Sequence, residues 1–370
     1  MKTLYYNGTL LYNDNVIWNK KKIDVISLLK KINFIDENIS DDYISLFKQA
    51  NLFNNTTAHI VDRTNANPFY VNLLATKIPT EKNDTGLSFT NLCLKRADEL
   101  LSKGKRINIM WSGGIDSTLV LFCLLNRTND LSQLRVILSP DSILESGNMF
   151  DKLIKNKISF ILYEKVGKKN FFNKKEFNHF DVEKELITGG NMSDHLNSIL
   201  RLNIPYDEKY WHFNYEEILM QHTNKNVIDF LNKSVRAFPK QIKTYIDFLK
   251  FYGFNFHWHK DKYKNHCETD NRYFKSFEYF FDTHDFQRWS IWNKESNIIP
   301  NVLKKPQRDL IYELTSDKLY SYQKQKTMSG PGVHTNLDWA FLTDNGETIY
   351  LKDLINKQKD LLNNKTLIYN

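Results

Sequence analysis

Cysteine is scarce in this chain, and no apolar run is long enough to span a membrane. The three cysteines, Cys93, Cys123 and Cys267, include no Cys-x-x-Cys pair, so neither a zinc ribbon nor a redox pair is supported. No charged-then-apolar leader resembles a signal peptide. These absences predict a cytoplasmic protein that has no membrane partner.

Glycine and proline are also few, at 13 and 8 of 370 residues, which excludes a low-complexity chain. The length favours two domains, and a hydrophobic content of 41% suffices for ordinary cores. The net charge of +8 would attract phosphate-rich partners, but the basic runs at 19–22 and 168–175 are short. Short runs are typical of solvated faces, so nucleic-acid binding stays open without a focused basic patch to support it.

Residues 1–85 predict a small α+β module that ends in the polar linker 80–85. Apolar segments at 4–6 and 16–18 flank Asn-Gly and Asn-Asp turn signals and predict a hairpin. The other elements predicted here are helices at 23–32 and 41–50 and strands at 58–61 and 69–74. The linker is expected to separate this module from the rest of the chain.

From residue 86 to about 330, strand-length and helix-length apolar segments alternate along the chain. The predicted elements are a helix at 89–101, a strand at 107–111, a helix at 118–125, a strand at 134–138, a helix at 146–155, and strands at 159–163 and 185–188. Such alternation predicts an α/β domain whose parallel sheet carries helices on both faces. Its C-terminal part, from about residue 215, reads as helical and aromatic-rich. Residues 331–370 predict a C-terminal extension with a hairpin or strand signal at 344–351.

A glycine-rich turn, Ser-Gly-Gly-Ile-Asp-Ser, stands between a predicted strand and an apolar helical stretch. The backbone N–H groups of such a turn and of the helix N-terminus form a concave anion site. Gly113 and Gly114 let the backbone approach phosphate oxygens, while Ser112 and Ser117 add hydroxyl donors. Asp116 would repel phosphate, so we expect it to hold a Mg²⁺ ion that neutralises the phosphate.

The turn contains no lysine, which distinguishes it from the Walker loop. It resembles the pyrophosphate loop of ATP pyrophosphatases, which activate a carbonyl oxygen as its AMP ester and release pyrophosphate. The resemblance implies ATP and Mg²⁺ as cofactors. Because nucleotide is expected at the carboxyl ends of the strands, Trp111 and Leu138 join the expected nucleotide contacts. A tight turn without a ligand is the alternative interpretation.

Four further segments resemble asparagine synthetases and stand in that family's order. Residues 187–195 (Ile-Thr-Gly-Gly-Asn-Met-Ser-Asp-His) resemble its Ser-Gly-Glu-Gly-Ser-Asp-Glu turn, and residues 279–283 (Tyr-Phe-Phe-Asp-Thr) resemble its Pro-Phe-Leu-Asp. Residues 304–308 (Lys-Lys-Pro-Gln-Arg) with Leu314 resemble Lys-x-x-x-Arg…Leu-Pro, and residues 322–326 (Tyr-Gln-Lys-Gln-Lys) resemble Arg-x-Lys. Their collinear order over about 88–330 implies the HUP-like fold of the adenine nucleotide alpha hydrolase superfamily. The abundant lysine and asparagine are typical of an A/T-rich genome, such as that of a phage.

The resemblance implies a nucleotide site shared by two strand ends. Asp116 and Asp194 would lie at the ends of neighbouring strands and hold Mg²⁺ between them against a triphosphate. Thr188 and Gly189 match the family's Ser-Gly, which lies beside the adenosine. For Asp194, a helix N-cap is the structural alternative.

The resemblance also implies a catalytic lysine. Lys324, or Lys326 because the spacing does not separate them, would stabilise the charge that develops as a carboxylate attacks the α-phosphorus. A surface position is the alternative for either lysine. The family has a glutamate directly after its Ser-Gly, whereas the turn here reads Gly190-Asn191-Met192. The resemblance therefore implies activation of a carboxylate, and it does not extend to asparagine as the product.

An upstream segment resembles the glutaminase half of the same family. Residues 61–70 (Val-Asp-Arg-Thr-Asn-Ala-Asn-Pro-Phe-Tyr) match part of that half, but Lys2 stands where it has a nucleophilic cysteine. The resemblance implies a reduced relic that cannot hydrolyse glutamine, so ammonia or an amine would be the nucleophile. An unrelated small module is the alternative.

The function expected from these patterns is an ATP-dependent carbon–nitrogen ligase that forms AMP and acts on a small carboxylate. One alternative is a nucleobase- or tRNA-modifying ATP pyrophosphatase, although the cysteine-rich sites usual there are missing. Another is an ATP-binding protein without catalytic activity. His257, His259, His266 and Cys267 offer four possible zinc ligands, but these residues lack the usual paired spacing.

Overall fold

The structure is a computed structural model of the chain. It describes residues 4–6, 15–18, 21–24, 38, 40–50, 62–67, 77–82, 85–162, 180–197, 207–258, 276–293, 304–323, 340–343, 348–350 and 368–369. The chain divides into two compact units. Unit 1 comprises Met1–Thr80, Ile199–Cys267 and Asn336–Asn370, and unit 2 comprises Glu81–Ser198 and Glu268–Thr335.

The elements are named in chain order. The strands are β1 (Leu4–Tyr6), β2 (Asn15–Trp18), β3 (Lys21–Asp24), β4 (Arg106–Met110), β5 (Leu134–Leu138), β6 (Ser159–Leu162), β7 (Glu185–Gly189), β8 (Ala340–Thr343), β9 (Thr348–Tyr350) and β10 (Ile368–Tyr369). The helices are α1 (Asp41–Gln49), α2 (Phe89–Leu101), α3 (Ile115–Arg127), α4 (Pro140–Glu145), α5 (Ser193–Asn197), α6 (Tyr215–Met220), α7 (Lys225–Ala237), α8 (Tyr245–Tyr252), α9 (His284–Trp292) and α10 (Lys305–Thr315). Shorter helical turns lie at Leu131–Gln133, Gly147–Met149, Phe150–Ile154, Glu208–Tyr210, Gly253–His257 and Leu319–Gln323. Within the described ranges, no helix is long and apolar enough to cross a membrane.

Unit 2 is built on a parallel sheet with the strand order β6-β5-β4-β7. The chain leaves β4 to form β5 and β6 on one side and returns to place β7 on the other. The loop after β4 therefore lies where the strand order reverses. A parallel bridge between Ile187 and Phe277 adds one more segment beside β7. The predicted parallel α/β sheet is confirmed, and its order with flanking helices is compatible with a Rossmann-like or HUP-like fold.

Local sequence accounts for the two helices next to β4. α3 is strongly apolar, and its residues from Ser117 to Leu124 are all buried. α2 instead buries a single stripe, and Ser88 caps its N-terminus by accepting a hydrogen bond from the Asn91 N–H. The two helices pack against each other, which covers the apolar surface of α3.

The helix predicted at 146–155 corresponds to two consecutive helical turns, Gly147–Met149 and Phe150–Ile154. A separate short helix that was not predicted, α4, precedes them and ends at Glu145. Ser139 caps α4, and proline suits the first turn of a helix. The apolar spacing predicts the later turns, whereas α4 depends on the Ser-Pro signal.

Unit 1 combines α1 and α6 to α8 with two small sheets, ordered β1-β8-β9 and β10-β3-β2. β1 pairs with β8, and β2 pairs with β3, so the predicted hairpin between residues 4–6 and 16–18 is wrong. Lys21–Asp24 is a strand, so the predicted helix at 23–32 cannot begin at Ile23.

Other predictions for unit 1 have different outcomes. The hairpin signal at 344–351 is confirmed by the antiparallel pair of β8 and β9. The helix predicted at 41–50 is confirmed as α1. The strands predicted at 58–61 and 69–74 lie outside the described residues.

The boundaries of the two units differ from those of the predicted domains at 1–85, 86–330 and 331–370. Residues 199–267 and 336–370 belong to the same unit as the N-terminal residues. Strands from opposite ends of the chain are hydrogen-bonded partners, as β1 with β8 and β3 with β10. Such long-range pairing leaves no local pattern in a sequence, so a division by composition does not reveal it.

Residues 62–67, within the segment that resembles a glutaminase, form a buried polar network in unit 1. The Asp62 carboxylate accepts hydrogen bonds from the backbone N–H groups of Thr64 and Asn67 at 3.0 and 2.8 Å. It also accepts one from the Asn255 side chain at 2.9 Å. These bonds satisfy a buried charge, so this segment has a structural function within the unit.

Candidate functional site

The loop between β4 and α3 is an open turn that leads into a helix N-terminus. Gly113 has a φ of +75°, in the left-handed region. Gly114 is the N-cap of α3, and a glycine offers no side-chain oxygen to the first N–H groups of the helix. The hydroxyls of Ser112 and Ser117 lie 3.0 Å apart. The loop therefore combines backbone donors and two hydroxyls at the point where the strand order reverses.

Two glycines let backbone segments approach closely here. A Cβ atom added to Gly113 would lie 2.5 Å from the carbonyl oxygen of Ser142. A Cβ atom added to Gly190 would lie 2.6 Å from both the Asp116 Cβ atom and the Ser117 backbone nitrogen. Gly190 therefore holds the turn after β7 against the first turn of α3.

A lysine and two aspartates form a charged cluster beside the loop. Asp116 lies in the first turn of α3, and Asp194 lies in the first turn of α5, which follows β7. The Lys304 ammonium lies 2.6 Å from Asp194 Oδ1 and donates a hydrogen bond to Asp116 Oδ2. The structure thus brings the two predicted metal ligands together around one lysine, and we call the three residues the Asp–Lys–Asp cluster. No role for Lys304 follows from the sequence, because no spacing rule connects these three elements.

The members of the cluster differ in exposure. The side chains of Asp116 and Lys304 are 17% and 22% exposed, whereas that of Asp194 is 54% exposed. The Oδ1 atom of Asp116 is buried and has no hydrogen-bond partner among the described residues.

Burial and charge shift the pKa values within the cluster. Burial raises the pKa of Asp116, the Lys304 charge partly offsets this, and the Asp194 charge raises it again, so the pKa lies above its usual value. Burial alone would lower the pKa of Lys304, but the charges of the two carboxylates outweigh it and raise the pKa. Lys304 is therefore a cation at neutral pH.

A chain of buried side chains supports the loop. The Trp111 indole N–H donates a hydrogen bond to the Thr118 hydroxyl at 2.9 Å. The Tyr320 hydroxyl lies 2.7 Å from the Thr118 hydroxyl and donates to the Gly113 carbonyl oxygen at 2.9 Å. Trp111, predicted as a nucleotide contact, thus has a buried side chain that packs next to the loop. Tyr320 has no signal in the sequence, because its partners lie on a distant element.

The other predicted site residues lie at neighbouring strand ends or outside the described part of the chain. Thr188 and Gly189 end β7, and the Thr188 hydroxyl is buried with no hydrogen-bond partner in the described ranges. Leu138 ends β5 with a fully buried side chain. Lys324 and Lys326 lie outside the described residues, directly after the helical turn that carries Tyr320.

The zinc pattern gains no support from the residues that can be described. His257 is buried at the end of a π-helical turn in unit 1. His259, His266 and Cys267 lie outside the described residues. Across the described ranges, no group of three or more histidine, cysteine, aspartate or glutamate side chains could hold a metal ion.

The residues of the cluster fit Mg²⁺ together with a polyphosphate. Mg²⁺ is usually bound by one or two carboxylates plus substrate phosphates rather than by a complete protein cage. Asp116 and Asp194 supply two carboxylates, and one buried Asp116 oxygen has no hydrogen-bond partner among the described residues. The adjacent loop supplies donors suited to phosphate. The chain matches no protein-family model and no curated protein at a significant level.

Proposed function

We propose that the protein is an ATP-dependent ligase that adenylates a carboxylate, joins it to a nitrogen nucleophile, and releases AMP and pyrophosphate. The observation that supports this most strongly is the Asp–Lys–Asp cluster beside a helix N-terminus that has no side-chain cap. Both features stand where the strand order reverses, and open α/β sheets bind their ligands at such points. Two carboxylates beside hydrogen-bond donors that can bind phosphate suit a metal-bound triphosphate better than they suit an anion without a metal ion.

Each group has a chemical task in this proposal. The backbone N–H groups of the loop, with Ser112 and Ser117, would hold the β- and γ-phosphates that leave as pyrophosphate. Asp116 and Asp194 would hold Mg²⁺, which neutralises charge on the phosphates when bound. Lys304, whose ammonium pairs with both carboxylates, would donate to a phosphate oxygen.

A lysine from the segment after Tyr320 completes the proposal. Lys324 or Lys326 would stabilise the negative charge that develops as the substrate carboxylate attacks the α-phosphorus. Removing a donor of this kind typically costs about 3 kcal/mol in the activation free energy. The hydrogen bond from Tyr320 to the Gly113 carbonyl oxygen supports this assignment, because it ties the helical turn that precedes Lys324 in the chain to the loop.

The turn after β7 provides evidence on which nitrogen nucleophile the proposed reaction would use. Gly190 has no space for a side chain, so a glutamate at that position would require α3 or the turn to move. The carboxylate that asparagine synthetases have in this turn therefore has no equivalent at Gly190. We propose adenylation as the central reaction, with ammonia or an amine as the nucleophile.

The test is incubation of the purified chain with ATP, Mg²⁺, ammonium and pools of carboxylates and amino acids, followed by chromatography of the nucleotides. The proposal predicts AMP and pyrophosphate in equal amounts. Asp116→Asn removes one metal ligand at nearly constant shape and should abolish the product. Asp98→Asn is the matched control, because Asp98 is an exposed aspartate on α2 that pairs with Arg127.

Other outcomes separate the alternatives. ADP as the nucleotide product would contradict adenylation. ATP binding without any product would favour a nucleotide-binding protein without catalytic activity. Product that forms only after tRNA is added would favour a nucleic-acid-modifying enzyme.

A further inference from the structure

The position of Lys304 indicates more than a phosphate contact. Its ammonium group bridges Asp116 and Asp194, the two carboxylates that the proposed function assigns to Mg²⁺. A divalent cation shared by these carboxylates would need the same position. An ammonium and a divalent cation repel each other strongly at such short range in a partly buried site, so the two compete.

The lysine is held in this position by its own backbone and by the helix that follows. Lys304 has φ 60° and ψ 37°, a left-handed conformation that is uncommon for a residue with a side chain. The Gln307 side chain in α10 donates a hydrogen bond at 2.9 Å to the hydroxyl of Ser193, the residue before Asp194. α10 also packs against α3, which carries Asp116. The start of α10 is therefore tied to both aspartate-bearing helices.

We propose that Lys304 is an internal counter-cation that competes with divalent metal ions for Asp116 and Asp194. In the absence of nucleotide, its ammonium neutralises the pair and keeps the affinity for a bare metal ion low. A polyphosphate brings enough negative charge to accept the ammonium, which leaves the carboxylates to the metal ion. Metal then binds with nucleotide rather than before it. This last step rests on the proposed function, whereas the competition itself does not.

The experiment measures binding of Mn²⁺, a substitute for Mg²⁺, to the full chain without nucleotide, from the electron paramagnetic resonance signal of free Mn²⁺. Lys304→Met removes the charge and keeps an apolar side chain, and Lys304→Gln is a second neutral variant. Lys304→Arg keeps the charge. Lys305→Met is the matched control, because this neighbouring lysine pairs with Asp309 instead.

Both neutral variants should bind Mn²⁺ at least about tenfold more tightly than the wild-type chain, because they remove a positive charge a few ångströms from the metal position. Lys304→Arg and Lys305→Met should bind Mn²⁺ as the wild type does. Adding Asp194→Asn to Lys304→Met should cancel the gain. Equal affinity in the wild type and in both neutral variants, each shown by circular dichroism to be folded, would overturn the proposal. A comparable gain in Lys304→Arg would overturn it as well.

The Mn²⁺-binding experiment and the AMP-formation experiment can fail independently of each other. A chain that forms no AMP refutes the ligase but leaves the Mn²⁺ comparison valid, because that comparison uses no nucleotide. A chain that forms AMP, yet binds Mn²⁺ as tightly in the wild type as in the neutral variants, keeps the ligase and refutes the counter-cation.

Discussion

Replacing Gly190 by alanine perturbs the candidate site where two backbone segments lie closest together. The added Cβ atom would lie 2.6 Å from the Ser117 nitrogen and 2.7 Å from the Asp116 carbonyl carbon. Real Cβ atoms essentially never approach other heavy atoms to under 3.0 Å. Because these neighbours are backbone atoms of a helix, they cannot rotate away. The turn after β7 or the first turn of α3 must therefore shift.

The expected magnitude follows from this overpacking. Inserting a methyl group into a packed region typically lowers the free energy of unfolding by about 1–3 kcal/mol. A shift of the turn also moves Asp194, whose Oδ1 lies 2.6 Å from the Lys304 ammonium. We therefore expect Gly190→Ala to lower both the free energy of unfolding and the affinity for Mg·ATP.

Urea-induced unfolding measures the first effect, and calorimetric titration with Mg·ATP measures the second. Gly147→Ala is the matched control, because nothing lies within 4 Å of the Cβ atom it would add. Gly147 lies in a helical turn, so alanine there should be neutral or slightly stabilising. A Gly190→Ala chain that unfolds within about 0.5 kcal/mol of the wild type, with unchanged nucleotide affinity, would refute the close-packing argument.

Three further changes test other parts of the structure. Tyr320→Phe removes the hydroxyl that donates to the loop carbonyl at 2.9 Å, so the same two assays should show about 1 kcal/mol less stability and weaker Mg·ATP binding. Lys250→Met should stabilise the chain at pH 7 by up to about 3 kcal/mol, because burial, and then the Lys240 charge, lower the Lys250 pKa to about 8, although Asp247 raises it. Since the unfolded chain binds more protons between the folded pKa of about 8 and the ordinary value of 10.5, wild-type stability should gain a component that rises with pH across this window. Urea unfolding at several pH values should show that the variant lacks this component. Asp62→Ala should cost more than about 2 kcal/mol in the same unfolding assay, because it leaves several buried donors without an acceptor; a loss below 0.5 kcal/mol, as at an ordinary surface position, would contradict the network.

The sequence predicts the strand, turn and helix of the candidate site because each has a local signature. The apolar run at 107–111 corresponds to β4 (Arg106–Met110), one residue away at each end. The two glycines and the following apolar stretch correspond to the loop and α3. The alternation of strands and helices likewise predicts a parallel sheet, because parallel neighbours need crossover connections.

Features that depend on contacts between distant residues could not be predicted in this way. Lys304 and Asp116 are 188 residues apart in the sequence, and their hydrogen bond is a product of the fold. The pairing of β1 with β8 is similarly non-local, and a turn signal nearby pointed to a hairpin instead. Polar composition also does not separate a ligand site from a buried network, as the hydrogen bonds of Asp62 show.

The charge balance of the site limits which ligands it can favour. The helix N-terminus at Gly114 and the Lys304 ammonium are positive, and they lie beside the two carboxylates of Asp116 and Asp194. A bare metal ion would meet the lysine, and a bare phosphate would meet the aspartates, so each is opposed by a like charge at short range. A ligand that carries a divalent cation and several phosphates meets both groups with opposite charge. The proposed function therefore predicts that the cluster discriminates by the pairing of charges within one ligand, a property that a metal-bound nucleoside triphosphate has and that a nucleoside, a metal ion or inorganic phosphate alone does not have.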